Sequence, residues 1–224
     1  MVTYDSPPDE QGRAQAKLYY RTSADLVHWS GPRRLAPAVH PAPRVRMIDA
    51  ALAWTGRGLI LGYKVGVTSG RQAFEVAWSR SGSLGGPWTV LGRPAISVYG
   101  DTFENYELLV VDGRWRLVAT SNTLDQPWMF TLEGNPEDAS SWLHWSRGEQ
   151  LAIPAEAWNT GPGISSVGFE HANSVFLCVV PGRAGDVYAT YAGSSELTEF
   201  GGWGHAAIGV ARSTDLVHWT VPPN

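Results

Sequence analysis

The stretch Ser23-Ala24-Asp25-Leu26-Val27-His28-Trp29 returns near the other end of the chain as Ser213-Thr214-Asp215-Leu216-Val217-His218-Trp219. A near-identity of seven residues at that separation marks an internal repeat, and repeats dictate architecture, because each unit buries its apolar face against a neighbouring copy. Two weaker echoes lie between, at residues 79–88 and 138–145. The closing Trp of the four units falls at 29, 88, 145 and 219, which is 57 to 74 residues apart. That spacing suits a four-stranded propeller blade with long loops.

The remaining text agrees with an all-β chain. Short β-branched and aromatic runs are bounded by Gly, Pro, Asn and Asp, and no dozen residues show helical periodicity. The 25 Gly and 15 Pro fit many tight turns. With 43% hydrophobic residues, 224 residues can fill a sizeable core, and one domain is expected. The clearest unit predicts strands at 48–54, 59–63, 74–79 and 88–91. The next predicts 108–111 and 115–120 around an Asp112-Gly113 hairpin turn, then 129–132. The last predicts 174–180, 187–191, 206–212 and a strand opened by Trp219. The first unit offers only 1–4, 17–21 and a strand at Trp29, matching strands two, three and four of the others. The blades are therefore 1–38 (partial, lacking its innermost strand), 39–97, 98–153 and 154–224. An open blade edge asks for a partner, from the C-terminus, from residues outside this sequence, or from another chain by self-association.

Several function classes drop out. A net charge of -4 gives no basic field for nucleic acid. No apolar run is long enough to span a bilayer as a helix. The start Met1-Val2-Thr3-Tyr4-Asp5 has no signal-peptide pattern, so the sequence as written reads as cytoplasmic, and as secreted if an upstream segment is missing. Cys178 has no internal partner for a disulfide and sits in an apolar run, which suggests a buried, inert thiol. No phosphate loop, zinc spacing or nucleophile elbow is present. The repeated Asp-Leu-Val-His-Trp has a structural explanation: Asp caps a turn, Leu and Trp pack between blades, and His bonds a neighbouring loop.

The text Ala77-Trp78-Ser79-Arg80-Ser81 with Gly86-Pro87-Trp88, and the stretch from Gly209 to Trp219, resembles the five-bladed β-propeller glycosidases. These are glycoside hydrolase family 43 and its relatives in families 32, 62 and 68. In that family three carboxylates from innermost strands meet at the mouth of a central funnel: an Asp base, an Asp that tunes, and a Glu acid. Met47-Ile48-Asp49-Ala50-Ala51 resembles the second-blade pattern, with Ala50 where the family has Pro, so Asp49 would be the tuning carboxylate. Glu104-Asn105-Tyr106, ahead of the Asp112-Gly113 turn, resembles the third-blade pattern with Asn and Tyr for Gly and Pro. Glu104 would be the acid. The base belongs on the first blade's absent inner strand, and Asp5 does not fill that place.

The resemblance implies a carbohydrate substrate and no required cofactor. A structural calcium ion is compatible with it, although no dense carboxylate loop demands one. Glycoside cleavage needs one protonated carboxyl for the leaving oxygen and one ionised carboxyl to activate water or attack the sugar. A neighbouring carboxylate helps keep the acid protonated. Asp49 and Glu104 each sit just before an apolar strand, with Glu107 as the rival to Glu104 and Asp101 close enough to belong to the same rim. His171, ahead of the last inner strand, matches by resemblance a His placed near the axis. Trp54, Tyr106, Trp128 and Trp158 are candidate sugar-stacking aromatics. The expected function is hydrolysis of a glycosidic bond, inverting if the resemblance holds. The alternatives are a non-catalytic carbohydrate-binding propeller, or fragment without its base, and a protein-interaction platform.

Overall fold

The computed structural model describes residues 2–5, 17–35, 46–66, 72–96, 102–121, 126–159, 172–180, 185–193 and 207–222. They are built almost wholly of antiparallel strands in four sheets, each a meander in chain order. Two compact units divide the chain: Met1–Ile96 with Leu132–Trp145, and Ser97–Thr131 with Ser146–Asn224.

The first unit holds a three-stranded sheet of β1 (Val2–Asp5), β2 (Lys17–Tyr20) and β3 (Arg33–Arg34). Its second sheet joins β4 (Met47–Trp54), β5 (Leu59–Gly66), β6 (Gln72–Ser79) and β7 (Thr89–Gly92). Leu18, Leu35, Met47, Leu61, Tyr63, Val65 and Trp88 form one apolar core across the two sheets. Seven of the eight residues of β5 are buried. A strand covered on both faces loses its polar alternation, which is why 59–63 reads as a run without charged residues.

The second unit holds β8 (Phe103–Val111), β9 (Arg114–Ser121), β10 (Pro127–Thr131) and β11 (Glu149–Gln150) in one sheet. The other joins β12 (Asn173–Val179), β13 (Val187–Gly193), β14 (Ala207–Ser213) and β15 (Trp219–Thr220). Val118, Met129, Leu151, Val175, Leu177, Ala189, Leu216 and Trp219 pack between these sheets. Asp112 and Gly113 turn β8 into β9 with φ of 50° and 71°, two left-handed residues in succession as a tight hairpin requires.

Two predicted strand starts move by four or five residues. The first-blade outer strand begins at Arg33, not Trp29, because Trp29 closes a turn and its indole Nε1 donates to the Leu26 carbonyl at 3.1 Å. β8 begins at Phe103, five residues before the expected start, because a bulge breaks the alternation that would have revealed it. Within β12, Cys178 is exposed, which corrects the expectation of a buried thiol: alternation points it away from the core that Leu177 enters.

The repeat is real at the level of hydrogen bonds. In all four units the closing Trp donates its indole N–H to a carbonyl three or four residues back: Trp29 to Leu26, Trp88 to Leu84, Trp145 to Trp142 and Trp219 to Leu216. The third copy otherwise departs, since Ala139–Leu143 forms a 3₁₀ turn capped by the Asp138 carboxylate.

Candidate active site

The three sheets with four strands share one device at the start of the first strand. In β4, Ile48 faces Lys64 and Ala51 faces Gly62, leaving Asp49 and Ala50 together opposite Tyr63. In β8, Glu104 faces Thr120 and Glu107 faces Val118, leaving Asn105 and Tyr106 opposite Ala119. In β12, Asn173 faces Ala192 and Phe176 faces Thr190, leaving Ser174 and Val175 opposite Tyr191. Two residues against one is a β-bulge, which bends the strand and re-aims side chains. The first of each doubled pair is left-handed: Asp49 at φ 52°, Asn105 at φ 54° and Ser174 at φ 51°. Asp and Asn tolerate this region better than most residues, through hydrogen bonds of a short polar side chain.

The bulges fix a structural alignment that the text conceals. Asp49 corresponds to Asn105 and Ser174, whereas Glu104 corresponds to Ile48 and Asn173. The two acids thus occupy successive positions of the same device. Both also lie inside their strands, not ahead of them. The bulge changes faces as well. Directly paired residues share a face, and Thr120 and Val118, two apart, point the same way. Glu104 and Glu107 therefore share the face of β8 that meets β12, although three residues separate them.

That face carries a polar cluster. Asn105 Nδ2 donates to Asn173 Oδ1 at 2.8 Å, joining the starts of the two inner strands. The Ser174 N–H reaches Thr120 Oγ1 at 3.1 Å and Asn173 Oδ1 at 2.6 Å. Asn173 and Thr120 are buried, so these bonds hold the strand starts rigid. Half-buried Glu104 lies beside Thr120. Deeper along the face, Glu107 Oε2 accepts the Leu177 N–H at 2.6 Å. Burial pushes the Glu107 carboxyl up to about 7, opposed by that hydrogen bond. The sequence marks Asn105 and Asn173 only as polar residues ahead of apolar runs, and Thr120 only as the polar end of one.

In the first unit, half-buried Asp49 stands across the ladder from Tyr63. The Tyr63 hydroxyl donates to Glu75 Oε2 at 2.5 Å, and Arg93 Nε donates to Glu75 Oε1 at 3.0 Å. Burial, reinforced by Glu75, raises the Tyr63 phenol and keeps it neutral. This chain of bonds stiffens β5 behind the bulge.

The aromatic candidates scatter. Trp54 is 58% exposed and lies five residues beyond Asp49, roughly 16 Å along the strand at the hairpin end. Tyr106 is buried, with its hydroxyl donating to the Phe103 carbonyl at 2.7 Å, so its ring is core. Trp128 is buried in β10. Trp158 stacks on Tyr191, ring centroids 5.8 Å apart. His171 lies outside the described residues. Among the described residues no three His, Cys, Asp or Glu side chains gather in a cation site, and no helix is long and apolar enough to cross a membrane.

No protein-family model matches the sequence, and no curated protein matches it. Solved structures do match. A thermostable family-43 glycoside hydrolase aligns over 100% of this chain and 73% of its own, with TM-score 0.63 and 14% identity. An endo-arabinase from Bacteroides thetaiotaomicron aligns over 93% of this chain and 72% of its own, with TM-score 0.65 and 18% identity. An exo-β-1,3-galactanase from Clostridium thermocellum aligns over 98% of this chain but only 44% of its own, with TM-score 0.62 and 16% identity. The fold is thus that of the glycoside hydrolase β-propellers of the family 43 type. Four blades are recognisable, and the first lacks an innermost strand among the described residues.

Proposed function

We propose that the chain is a glycoside hydrolase acting on an oligo- or polysaccharide, with Glu104 as the general acid and Asp49 as a second, tuning carboxylate. The observation that carries this reading is the recurring left-handed bulge, which sets an acid at or beside the same turn in β4 and β8. Bulges re-aim side chains next to active sites. Rigid strand starts are the right platform for carboxyls that must be held within a fraction of an ångström. The arabinan and galactan activities of the structural neighbours set the first substrates to try.

Glu104 gives its proton to the leaving oxygen as the bond to the sugar breaks, and an ionised partner activates water on the opposite face. Asn105 and Thr120 hold the strand from which Glu104 projects. The test is turnover of aryl glycosides, arabinan and β-1,3-galactan by the whole chain and by Glu104→Gln. Loss of about 10²- to 10⁴-fold in kcat with an unchanged far-UV spectrum is expected. Full turnover by the variant removes the assignment.

A specific observation favours a second reading, a carbohydrate-binding propeller without hydrolysis. Among the described residues the first sheet has three strands, and the resemblance puts the base on an innermost strand that is not one of them. Retained glycan binding by a chain that never turns over would select it.

A further inference from the structure

Between the two sheets of the second unit stands a carboxyl that the proposed reaction does not use. Glu107 lies three residues beyond Glu104, and the β8 bulge puts both on the face that meets β12. Their partners Thr120 and Val118 are two residues apart on β9, so the two acids project about 7 Å apart along the strand.

Bonds join this face to β12 at two levels. At the level of Glu104, Asn105 reaches Asn173, and the Ser174 N–H reaches Thr120. At the lower level, Glu107 Oε2 accepts the Leu177 N–H at 2.6 Å. β12 is the end strand of its sheet, and among the described residues no strand pairs with its other side. An end strand presents main-chain donors that lack a ladder partner. Leu177 is 6% exposed, so water is a poor substitute there. The Glu107 carboxyl stands where the acceptor of a neighbouring strand would.

The upper bonds depend on the lower one. The ladder from β12 to β13 is interrupted at Ser174 and Val175 and resumes at Phe176 and Leu177. A bulge leaves the strand end beyond it free to bend, so pairing with β13 does not by itself fix where Asn173 stands. The bond at Leu177 anchors the first regular stretch against β8. Asn173 then holds the side chain of Asn105, the left-handed residue that follows Glu104.

We propose that Glu107 is a positioning residue for Glu104: it seats the start of β12 against β8, and the Asn173–Asn105 bridge passes that seating to the backbone from which Glu104 projects. The role given to Glu104 rests on the hydrolase reading; the seating of Asn105 and Asn173 stands apart from it. The seat also regulates the site. Burial raises the Glu107 carboxyl to about 7, opposed by the Leu177 bond. The other ionisable groups turned to this side are Glu104 on β8, Arg114 and Arg116 on β9, Glu149 on β11 and Tyr191 on β13; β10 and β12 present none there. The charges that act on Arg116 are Arg114, Glu149 and Asp112. Neutral Glu107 stays between the sheets. Ionised, it draws water to itself, and the start of β12 loosens.

The test follows the side-chain amide signals of Asn105 and Asn173 in the ¹⁵N-labelled full chain from about pH 6 to about pH 8. In the parent both should move with a midpoint near 7. In Glu107→Gln, which keeps the shape and an acceptor for Leu177, they should stay still. Glu107→Ala should displace both signals throughout. With aryl glycosides, Glu107→Ala should lose about 10²-fold in kcat with little change in KM. Glu107→Gln should recover most of that loss and lack the parent's fall in kcat near pH 7. A merely structural Glu107 would lower the folded fraction and leave no such midpoint. The proposal is overturned if the amides keep their places in Glu107→Ala, or if Glu107→Gln repeats the parent's movement with pH. Should Glu107→Ala fail to fold, the Gln variant decides alone. Turnover with still amides removes the positioning role and keeps the hydrolase; moving amides in a chain that turns over no glycoside keeps the seat and removes the hydrolase.

Discussion

The first and last copies of the repeated heptad have the same internal bonds and opposite surroundings. In each, the Asp carboxylate accepts the N–H groups two and three residues on, and its other oxygen lies 2.7 Å from the His Nδ1, the imidazole donating. In each, the Leu is left-handed, at φ 63° for Leu26 and 64° for Leu216. The His thus bonds its own turn, not a neighbouring loop as the sequence suggested. Yet Leu26 is 77% exposed and Trp29 37%, whereas Leu216 is 7% exposed and Trp219 5%. The last copy packs with Val111, Leu151 and Val175 in the core of the second unit. The turn is a local device that folds wherever its seven residues occur. Whether it stabilises the protein depends on what lies opposite.

Paired substitutions test this difference. Trp219→Ala should be the most damaging, at about 3–5 kcal/mol in urea unfolding, with Leu216→Ala at about 2–4 kcal/mol. Trp29→Ala should cost well under half the Trp219 value. Equal losses from the two Trp changes would show that the indole-to-carbonyl bond matters more than packing.

The sheets that bury Trp219 also half-bury Glu107, and this gives a pH signature. The folded carboxyl titrates near 7 against an ordinary 4.5. Between those values the folded chain keeps a proton that the unfolded chain releases. Stability from this group is therefore full below about 4.5 and falls as pH rises toward 7. Glu107→Gln should flatten that slope in denaturation midpoints measured at both ends of the window. An unchanged slope would place Glu107 in a wetter setting than its bond to Leu177 suggests.

Asp25 and Asp215 run the other way. Each is held below the ordinary 3.8, chiefly by the hydrogen bond from its His, so its contribution is present above that value and lost in acid. Because the bonds match, Asp25→Asn and Asp215→Asn should shift the melting temperature by similar small amounts. The smallest effect is expected at Leu26→Ala, within about 0.5 kcal/mol.

Much of the fold could be read in advance. β4, β5, β6 and β14 lie within one to three residues of their predicted bounds, because alternation and turn residues are local signals. β8 was read five residues short, since a bulge looks like lost periodicity. Asp49 and Glu104 were legible as acids at strand starts. Their staggered places in the shared bulge were not, because backbone handedness at Asn105 and Ser174 leaves no mark in the letters. Tyr106 was misjudged for the same reason: the bulge, not simple alternation, turns its ring into the core.

The seven-residue repeat, the Asp112-Gly113 hairpin and the absence of helical periodicity settled by themselves that this chain folds as a series of small antiparallel sheets. Each depends on interactions spanning a few residues, and such interactions are written in order along the chain. Packing decided the rest: which copy of the heptad is buried, that Glu107 meets the Leu177 amide, and that Gly209 makes room for Trp158 on Tyr191. Those contacts join residues far apart in sequence, and their energies depend on water excluded by neighbours that no local pattern specifies.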